Sequence, residues 1–302
     1  MPDATPAAHS TPDSVFFPTV LADLAQRKHL SAAQAEAAFG SIMDGNVPPE
    51  QIAAFLMALR VRGETQDELF GAVTALRQRM YPVPNTPPNT IDVCGTGGDK
   101  YGTLNVSTAV AFVLAALGVP VAKHGNRAVS SLSGASDVLA ALSVPLSSNA
   151  EVLARQLAQH HVVFMAAPHH HPAMRHAASA RKALALPTLF NLVGPMVNPA
   201  GVKRQLMGVF SPQWLRPVTE VLARLGSECV WTVCGQPQDG QGGIDEITLA
   251  GPTQAVALEN GHIQSYQIEP EMAGLPYAPV SAIKGGDAQH NAQALEALLR
   301  GA

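Results

Sequence analysis

Residues 81–89, Tyr-Pro-Val-Pro-Asn-Thr-Pro-Pro-Asn, hold four prolines in nine positions and divide the 302-residue chain into two unlike parts. Proline fixes φ, offers no N–H to a helix or ladder, and restricts the residue before it, so no regular element runs through this stretch. On its N-terminal side apolar residues recur at helical spacing. Phe17, Val20, Leu21, Leu24 and Leu30 form one such set, and Ser31 opens an alanine-rich stretch ending at Gly40. Pro48 and Pro49 start a further helix with Ile52, Phe55, Leu56 and Leu59 along one face. Thr65 with Glu68 forms a capping box ahead of Leu69, Val73 and Leu76. Beyond the prolines the texture changes to short β-branched runs alternating with alanine- and leucine-rich helical stretches. The pattern predicts strands at 90–94, 119–122, 162–165, 206–210 and 229–234, and the helices between them imply parallel βαβ units. The expected fold is α/β: a small all-helical domain over 15–84, then a larger α/β domain over 85–302 with a mainly parallel sheet.

Composition narrows the setting. The chain is 47% apolar but only 14% charged, which suits a packed globular protein and excludes a disordered one. Its 19 basic and 23 acidic side chains give a net charge of −4, so no overall positive field favours nucleic acid. Cys94, Cys229 and Cys234 are too scattered for a disulfide framework or a zinc ligand set, and the default setting is a reducing cytoplasm. Residues 1–14 lack the basic start and apolar run of a signal peptide and are read as a mobile tail. The longest apolar run, 109–117, is about half of the roughly 20 residues that a membrane helix needs, so it is read as a buried helix and no membrane partner is expected.

Three polar stretches carry chemistry. The first starts where the strand at 90–94 ends: Gly95, Thr96, Gly97, Gly98, Asp99, Lys100, Tyr101, Gly102, Thr103, Leu104, Asn105, Val106, Ser107, Thr108. Glycines there let backbone N–H groups approach an anion, and Ser107 and Thr108 are placed at the N-cap of the 109–117 helix, where phosphate is favoured. The loop is neither a Walker A nor a dinucleotide-binding motif. A second stretch after the strand at 119–122 holds Lys123, His124, Asn126, Arg127, Ser130, Ser131 and Ser133, a set able to neutralise and hydrogen-bond a phosphate. In the third, Asp245 and Glu246 stand side by side after a glycine-rich turn, hard oxygen ligands of the kind Mg²⁺ shares with substrate phosphates. Taken singly, each stretch also reads as a plain turn or solvated loop. His160, His161, His169, His170, His171 and His176 lack zinc spacing and read as pocket or surface histidines, and Trp231 reads as core.

In order along the chain, QIAAFLMALRVRGET at 51–65, DVCGTGGDKYGTLNVSTA at 92–109, KHGNRAVSSLSGASD at 123–137, ARKALALPTLFNLVGPMVNP at 180–199 and GGIDEIT at 242–248 resemble the anthranilate phosphoribosyltransferase family. The resemblance spans nearly everything from about residue 15 onward. It implies an enzyme of tryptophan biosynthesis that joins anthranilate to phosphoribosyl pyrophosphate (PRPP). It further implies a helical domain that forms a homodimer, a return of about 188–205 to that domain, and a site in the cleft between domains. Residues implied for PRPP are Gly95, Gly98, Asp99, Thr103, Asn105, Val106, Ser107, Thr108, Lys123, Asn126, Arg127, Ser130, Ser131 and Ala135. Gly95, His124, Asn126, Ala167, Pro168, His171 and Arg181 are implied for anthranilate, and Ser107, Asp245 and Glu246 for Mg²⁺. Lys123, Asp245 and Glu246 carry the implied leaving-group chemistry. The family also implies helices beyond the 291–302 segment, which a sequence ending at Ala302 lacks. Two other readings stay open: a pyrimidine nucleoside phosphorylase of the same architecture, and a transferase-like protein that binds nucleic acid.

Overall fold

The helices α1 (Phe17–Ala25), α2 (Ala32–Met43), α3 (Pro49–Arg62) and α4 (Gln66–Arg77) open the computed structural model, which describes residues 16–126, 132–238 and 242–301. The tail read at 1–14 and the candidates Arg127, Ser130 and Ser131 lie outside the described residues. Capping boxes start α2, with Ser31 and Gln34, and α4, with Thr65 and Glu68, while Pro49 takes the first position of α3. Their apolar faces meet in one core in which Phe39 packs edge-on against both Phe55 and Phe190, at 5.2 and 5.6 Å between ring centroids. Each such pair is worth about 1 kcal/mol beyond the burial itself. Phe190 arrives from far along the chain, and Leu189, Leu192, Val193, Met196 and Val197 join the same cluster.

Among the described residues one seven-stranded sheet has the order β3-β2-β1-β4-β5-β6-β7. Its members are β1 (Ile91–Gly95), β2 (Val121–Gly125), β3 (Val162–Ala166), β4 (Arg204–Gly208), β5 (Cys229–Gly235), β6 (Thr253–Glu259) and β7 (His262–Ile268). β1 to β5 run parallel, as expected, while β6 and β7 extend the sheet antiparallel. The β6–β7 hairpin was not expected. Its signal is Asn260-Gly261, both at positive φ (51° and 79°), the two-residue turn whose twist matches the flanking strands. Trp231 is half-buried rather than core, stacking on Tyr266 of β7 at 5.5 Å and donating to Glu259 at 2.6 Å.

The remaining helices are α5 (Val106–Ala116), α6 (Ala135–Ala141), α7 (Ala150–His160), α8 (Ala167–His170), α9 (Arg175–Leu184), α10 (Phe190–Val193), α11 (Leu215–Arg224) and α12 (Ala288–Leu299). Val93 and Val121 pack with Ala111 of α5 and Leu139 of α6, whereas Ala122 and Val163 pack with Leu153 and Leu157 of α7. Through α11 the core under β4 to β6 is continuous with that of the helical domain. No described helix is long and apolar enough to cross a membrane.

The strand order fixes where a site belongs. From β1 the chain builds β2 and β3 to one side, then returns to place β4 on the other side of β1. Loops leaving the carboxyl ends of β1 and β4 therefore diverge and leave a crevice between them.

Candidate active site

Gly95 ends β1, Gly208 ends β4, and the two are paired in register. Asp245 lies directly on them. A Cβ at Gly208 would stand 1.6 Å from the Asp245 carbonyl oxygen, and one at Gly95 would stand 2.3 Å from Asp245 Oδ2. Any side chain at either position would push this segment out of the crevice. Ile244 holds the segment from the other side, exchanging both backbone hydrogen bonds with Gly235 at 2.9 and 3.0 Å. The adjacent carboxylates are thus fixed by backbone on the carboxyl end of the sheet.

Past Gly95 the chain turns through Gly97 and Gly98, at φ of 68° and 84°. Gly97 N–H donates to Asp245 Oδ2 at 2.6 Å. Asp99 Oδ1 accepts from Tyr101 N–H at 3.1 Å, while its buried Oδ2 has no hydrogen-bond partner. Three carboxyl groups are therefore crowded together. Burial and the Asp99 charge push Asp245 up to about 7. Burial and Asp245 push Glu246 up to about 8, against the pull of Lys123 and of the Ser107 N–H that Glu246 accepts.

That N–H belongs to the first turn of α5. Asn105 is the N-cap, with Val106, Ser107 and Thr108 inside the helix, so Ser107 and Thr108 sit further in than the sequence placed them. The reason is that Leu104 and Asn105 already turn the backbone, with Val106 N–H donating to the Leu104 carbonyl at 2.8 Å. Asn105 makes no side-chain cap, and the buried Thr108 Oγ1 has no hydrogen-bond partner. With the Val106, Ser107 and Thr108 N–H groups taken by Leu104 O, Glu246 and Asn105 O, this helix end presents the crevice with its positive dipole end and the unpartnered Thr108 hydroxyl.

Lys123 does not sit in a loop either: β2 continues through it to Gly125. Only 3% exposed, it donates to Val93 O at 2.6 Å and Ser107 Oγ at 3.1 Å, joining β1, β2 and α5. Beneath it is Asp92, fully buried, accepting from Asn198 Nδ2 at 2.7 Å and from His124 N–H at 3.3 Å. Burial pushes the Asp92 carboxyl up, opposed by Lys123 and by the Asn198 hydrogen bond. Sequence reading passed over both Asp92 and Asn198; the available signal was an acid inside the apolar run Thr90-Ile91-Asp92-Val93-Cys94.

The segment that delivers Asn198 also reaches the other candidates. His124 Nδ1 lies 3.1 Å from Gly194 O, and its ring is 5.0 Å from that of His171, which follows Ala167 and Pro168 of α8. Both rings are buried with Nε2 unpartnered, and burial holds them neutral, His124 down at about 3 and His171 at about 4. Arg181 of α9 lies over the Phe190 ring at 5.3 Å, and among the described residues no carboxylate pairs with it. Thr103 bridges Lys284, Ala135 opens α6 beside Gly125, and Asn126 is exposed at the end of β2.

No group of three or more His, Cys, Asp or Glu among the described residues forms a closed metal cage. Asp245, Glu246 and Ser107 instead suit a hard cation that keeps water and borrows substrate oxygens, since it would offset the crowded carboxylates.

Comparison with known proteins gives a consistent picture. Residues 18–80 match the helical bundle domain of a glycosyl transferase family, and residues 87–302 match that family's a/b domain. The anthranilate phosphoribosyltransferase of Gluconobacter oxydans (strain 621H) is 57% identical over 289 residues, 96% of this chain and 79% of that protein. That of Rhodopseudomonas palustris (strain TIE-1) is 53% identical over 95% of this chain and 83% of its own length. Among solved structures, the anthranilate phosphoribosyltransferase of Thermus thermophilus has a TM-score of 0.84 at 39% identity, covering 93% of this chain and 82% of its own. The Saccharomyces cerevisiae enzyme, solved in complex with PRPP and Mg, gives 0.83 at 26% identity over 95% of this chain and 82% of its own.

Proposed function

The chain belongs to the anthranilate phosphoribosyltransferase family, and we propose that its crevice transfers phosphoribosyl from PRPP to the amine of anthranilate, releasing pyrophosphate. One observation carries this reading above the rest. Three carboxyls, an almost fully buried lysine and the N-terminus of α5 converge on the switch point between β1 and β4.

The phosphate groups of PRPP lie along Gly95, Gly98, Thr103 and the first turn of α5, Asn105, Val106, Ser107 and Thr108, where the helix dipole and the side chains of Asn105 and Thr108 face them. Asn126 and Ala135 line the same ligand from the second loop, and the family resemblance assigns Arg127, Ser130 and Ser131 to it as well. Asp245, Glu246 and Ser107 hold Mg²⁺, with Asp99 completing the negative field. When bound, the cation supplies positive charge against the departing pyrophosphate.

Lys123 adds its own charge at that point, held in place by Val93 O and Ser107 Oγ. Arg181 receives the anthranilate carboxylate, for which a guanidinium without an acidic partner is well suited. His124 and His171, with Ala167 and Pro168, form the wall that aligns the aromatic ring. The amine nitrogen then bonds to the anomeric carbon as the bond to pyrophosphate breaks, pyrophosphate departs with the bonding pair, and one amine proton passes to water. An arylamine is neutral at pH 7, so positioning and leaving-group electrostatics supply most of the rate.

Two copies pair through the helical domain in this reading. A mostly apolar groove supports that arrangement, lined by Val20 of α1, Ala33 and Ala37 of α2 and the flanking Phe16 and Leu30, with Thr19, Asp23 and Gln34 among its polar residues. The direct test of the reaction is anthranilate fluorescence on mixing protein, PRPP and Mg²⁺. A decay abolished by EDTA is the expected result. A steady signal from folded protein would overturn the assignment.

A further inference from the structure

The C-terminal part of the described chain grips the glycine-rich loop and the second loop together. Leu104 N–H donates to Ile283 O at 2.9 Å, and Gly285 N–H donates to Gly102 O at 2.8 Å. Gly285 lies so close that a Cβ there would stand 2.5 Å from Thr103 O. At the centre is Asn291 of α12, 3% exposed. Its Nδ2 donates to Asn105 Oδ1 and to Ser133 Oγ, both at 2.9 Å, and its Oδ1 accepts from Gly286 N–H at 2.8 Å. Ser133 Oγ in turn donates to Gly286 O at 3.2 Å.

This arrangement fixes the direction of every hydrogen bond in it. A backbone N–H can only donate, so Gly286 requires that Asn291 turn its oxygen inward and its nitrogen outward. Asn291 therefore meets Asn105 as a donor, and Asn105 must answer with its oxygen. The Asn105 Nδ2 is then left for something else, and no described residue accepts from it. Asn105 is the N-cap of α5, the helix end that meets the crevice, and its side chain makes no bond to the helix's own first turn. Its amide orientation is decided 186 residues away.

We propose that Asn291 is a positioning residue: it holds the Asn105 amide in the one orientation that presents Nδ2, a donor, to the phosphate groups of PRPP. The proposal rests on the phosphoribosyl-transfer reading above. It singles out a residue that touches no reacting atom and lies outside the three polar stretches of the sequence.

Asn291→Asp is the sharpest perturbation. An aspartate still accepts from Gly286 N–H but cannot donate to Asn105 Oδ1, so Asn105 turns over and points an oxygen at an anionic ligand. The PRPP KM should rise roughly tenfold or more, while the anthranilate KM at saturating PRPP stays within about twofold, as expected for the loss of one charge-assisted hydrogen bond. In an Asn105→Ala background the same substitution should cost nothing further. Asn105→Asp keeps the bond from Asn291 and puts a charged acceptor where the donor was presented, so it should reproduce the PRPP defect with unchanged thermal stability. That variant decides the matter even if Asn291→Asp folds poorly. Equal rises in both KM values, a PRPP KM unchanged in Asn105→Asp, or a full Asn291→Asp effect in Asn105→Ala would each overturn the proposal. Absence of turnover in the unmodified protein would instead refute the reaction on which it rests.

Discussion

Glu68 in the helical domain and Asp245 at the sheet edge are both buried carboxylates, yet they keep opposite company. Glu68 accepts from Leu30 N–H and Thr65 N–H, each at 2.9 Å, and pairs with the shielded guanidinium of Arg62. Every neighbour is a donor. Asp245 has the Gly97 N–H and its own backbone N–H, but beside it stand Asp99 and Glu246, whose charges oppose its own. A saturated carboxylate ties α4 to the turn before α2 and stabilises the fold. A crowded one costs stability, and the chain retains it by giving up side chains at Gly95 and Gly208. The contrast separates a carboxylate matched on every side by donors from one set among like charges at the edge of the crevice.

Substitution should split the two sites along that line. Glu68→Ala strands Arg62 and two backbone N–H groups, and should lower unfolding free energy by about 3–5 kcal/mol, read as a fall in urea midpoint. The KM values of the folded fraction should not move. Asp245→Asn should do the reverse. Turnover should drop about a hundredfold, ~2.7 kcal/mol of transition-state stabilisation, while the thermal midpoint holds or rises as repulsion is removed. If Asp245→Asn unfolded the protein and Glu68→Ala abolished activity without doing so, the comparison would be wrong.

The same contrast explains what could be read in advance. The capping box of Thr65 and Glu68 is local, four consecutive residues, and so was visible; the bonds from Leu30 and Arg62 to the same carboxylate were not. The parallel strands were legible where they carry β-branched and other apolar residues together, as β3 (VVFMA) and β5 (CVWTVCG) do. The exposed β7 carries no such run, and only Asn260-Gly261 marked its hairpin. Lys123 reads from sequence as a phosphate-binding candidate beyond the strand, since a charge in a strand is unusual without the acid beside it. That acid is Asp92 on the neighbouring strand. Groups whose meaning depends on a partner over 100 residues away, such as Asn198 with Asp92 or Asn291 with Asn105, leave no mark on a local pattern.

Arg181, which pairs with no carboxylate among the described residues, tests whether a group elsewhere in the crevice is equally poised. Burial alone lowers its pKa, and its contact is the Phe190 face. Arg181→Ala should raise the anthranilate KM about tenfold, roughly 1.4 kcal/mol, and leave the PRPP KM within about twofold. Arg181→Lys should recover only part of this, because an ammonium cannot grip a carboxylate bidentately. Equal changes for both substrates would remove Arg181 from the acceptor side.

The histidine pair is the mildest case, poised without carrying charge. His124 is held down by burial first, then by the fields of His171, His170 and Lys123; His171 is held down by burial and by His170. Unfolding returns both to an ordinary pKa of about 6.5, so below that pH the unfolded chain binds more protons than the folded one. Their contribution is complete above pH 6.5 and is lost progressively toward about 4 for His171 and about 3 for His124. Between about pH 6.5 and 5.5, His171→Asn should therefore lose about 1 kcal/mol less stability than the unmodified chain, measured by urea unfolding at both values. An identical loss in both proteins would mean that His171 is charged in the folded state, and that the wall beside the acceptor is not the neutral surface its burial implies.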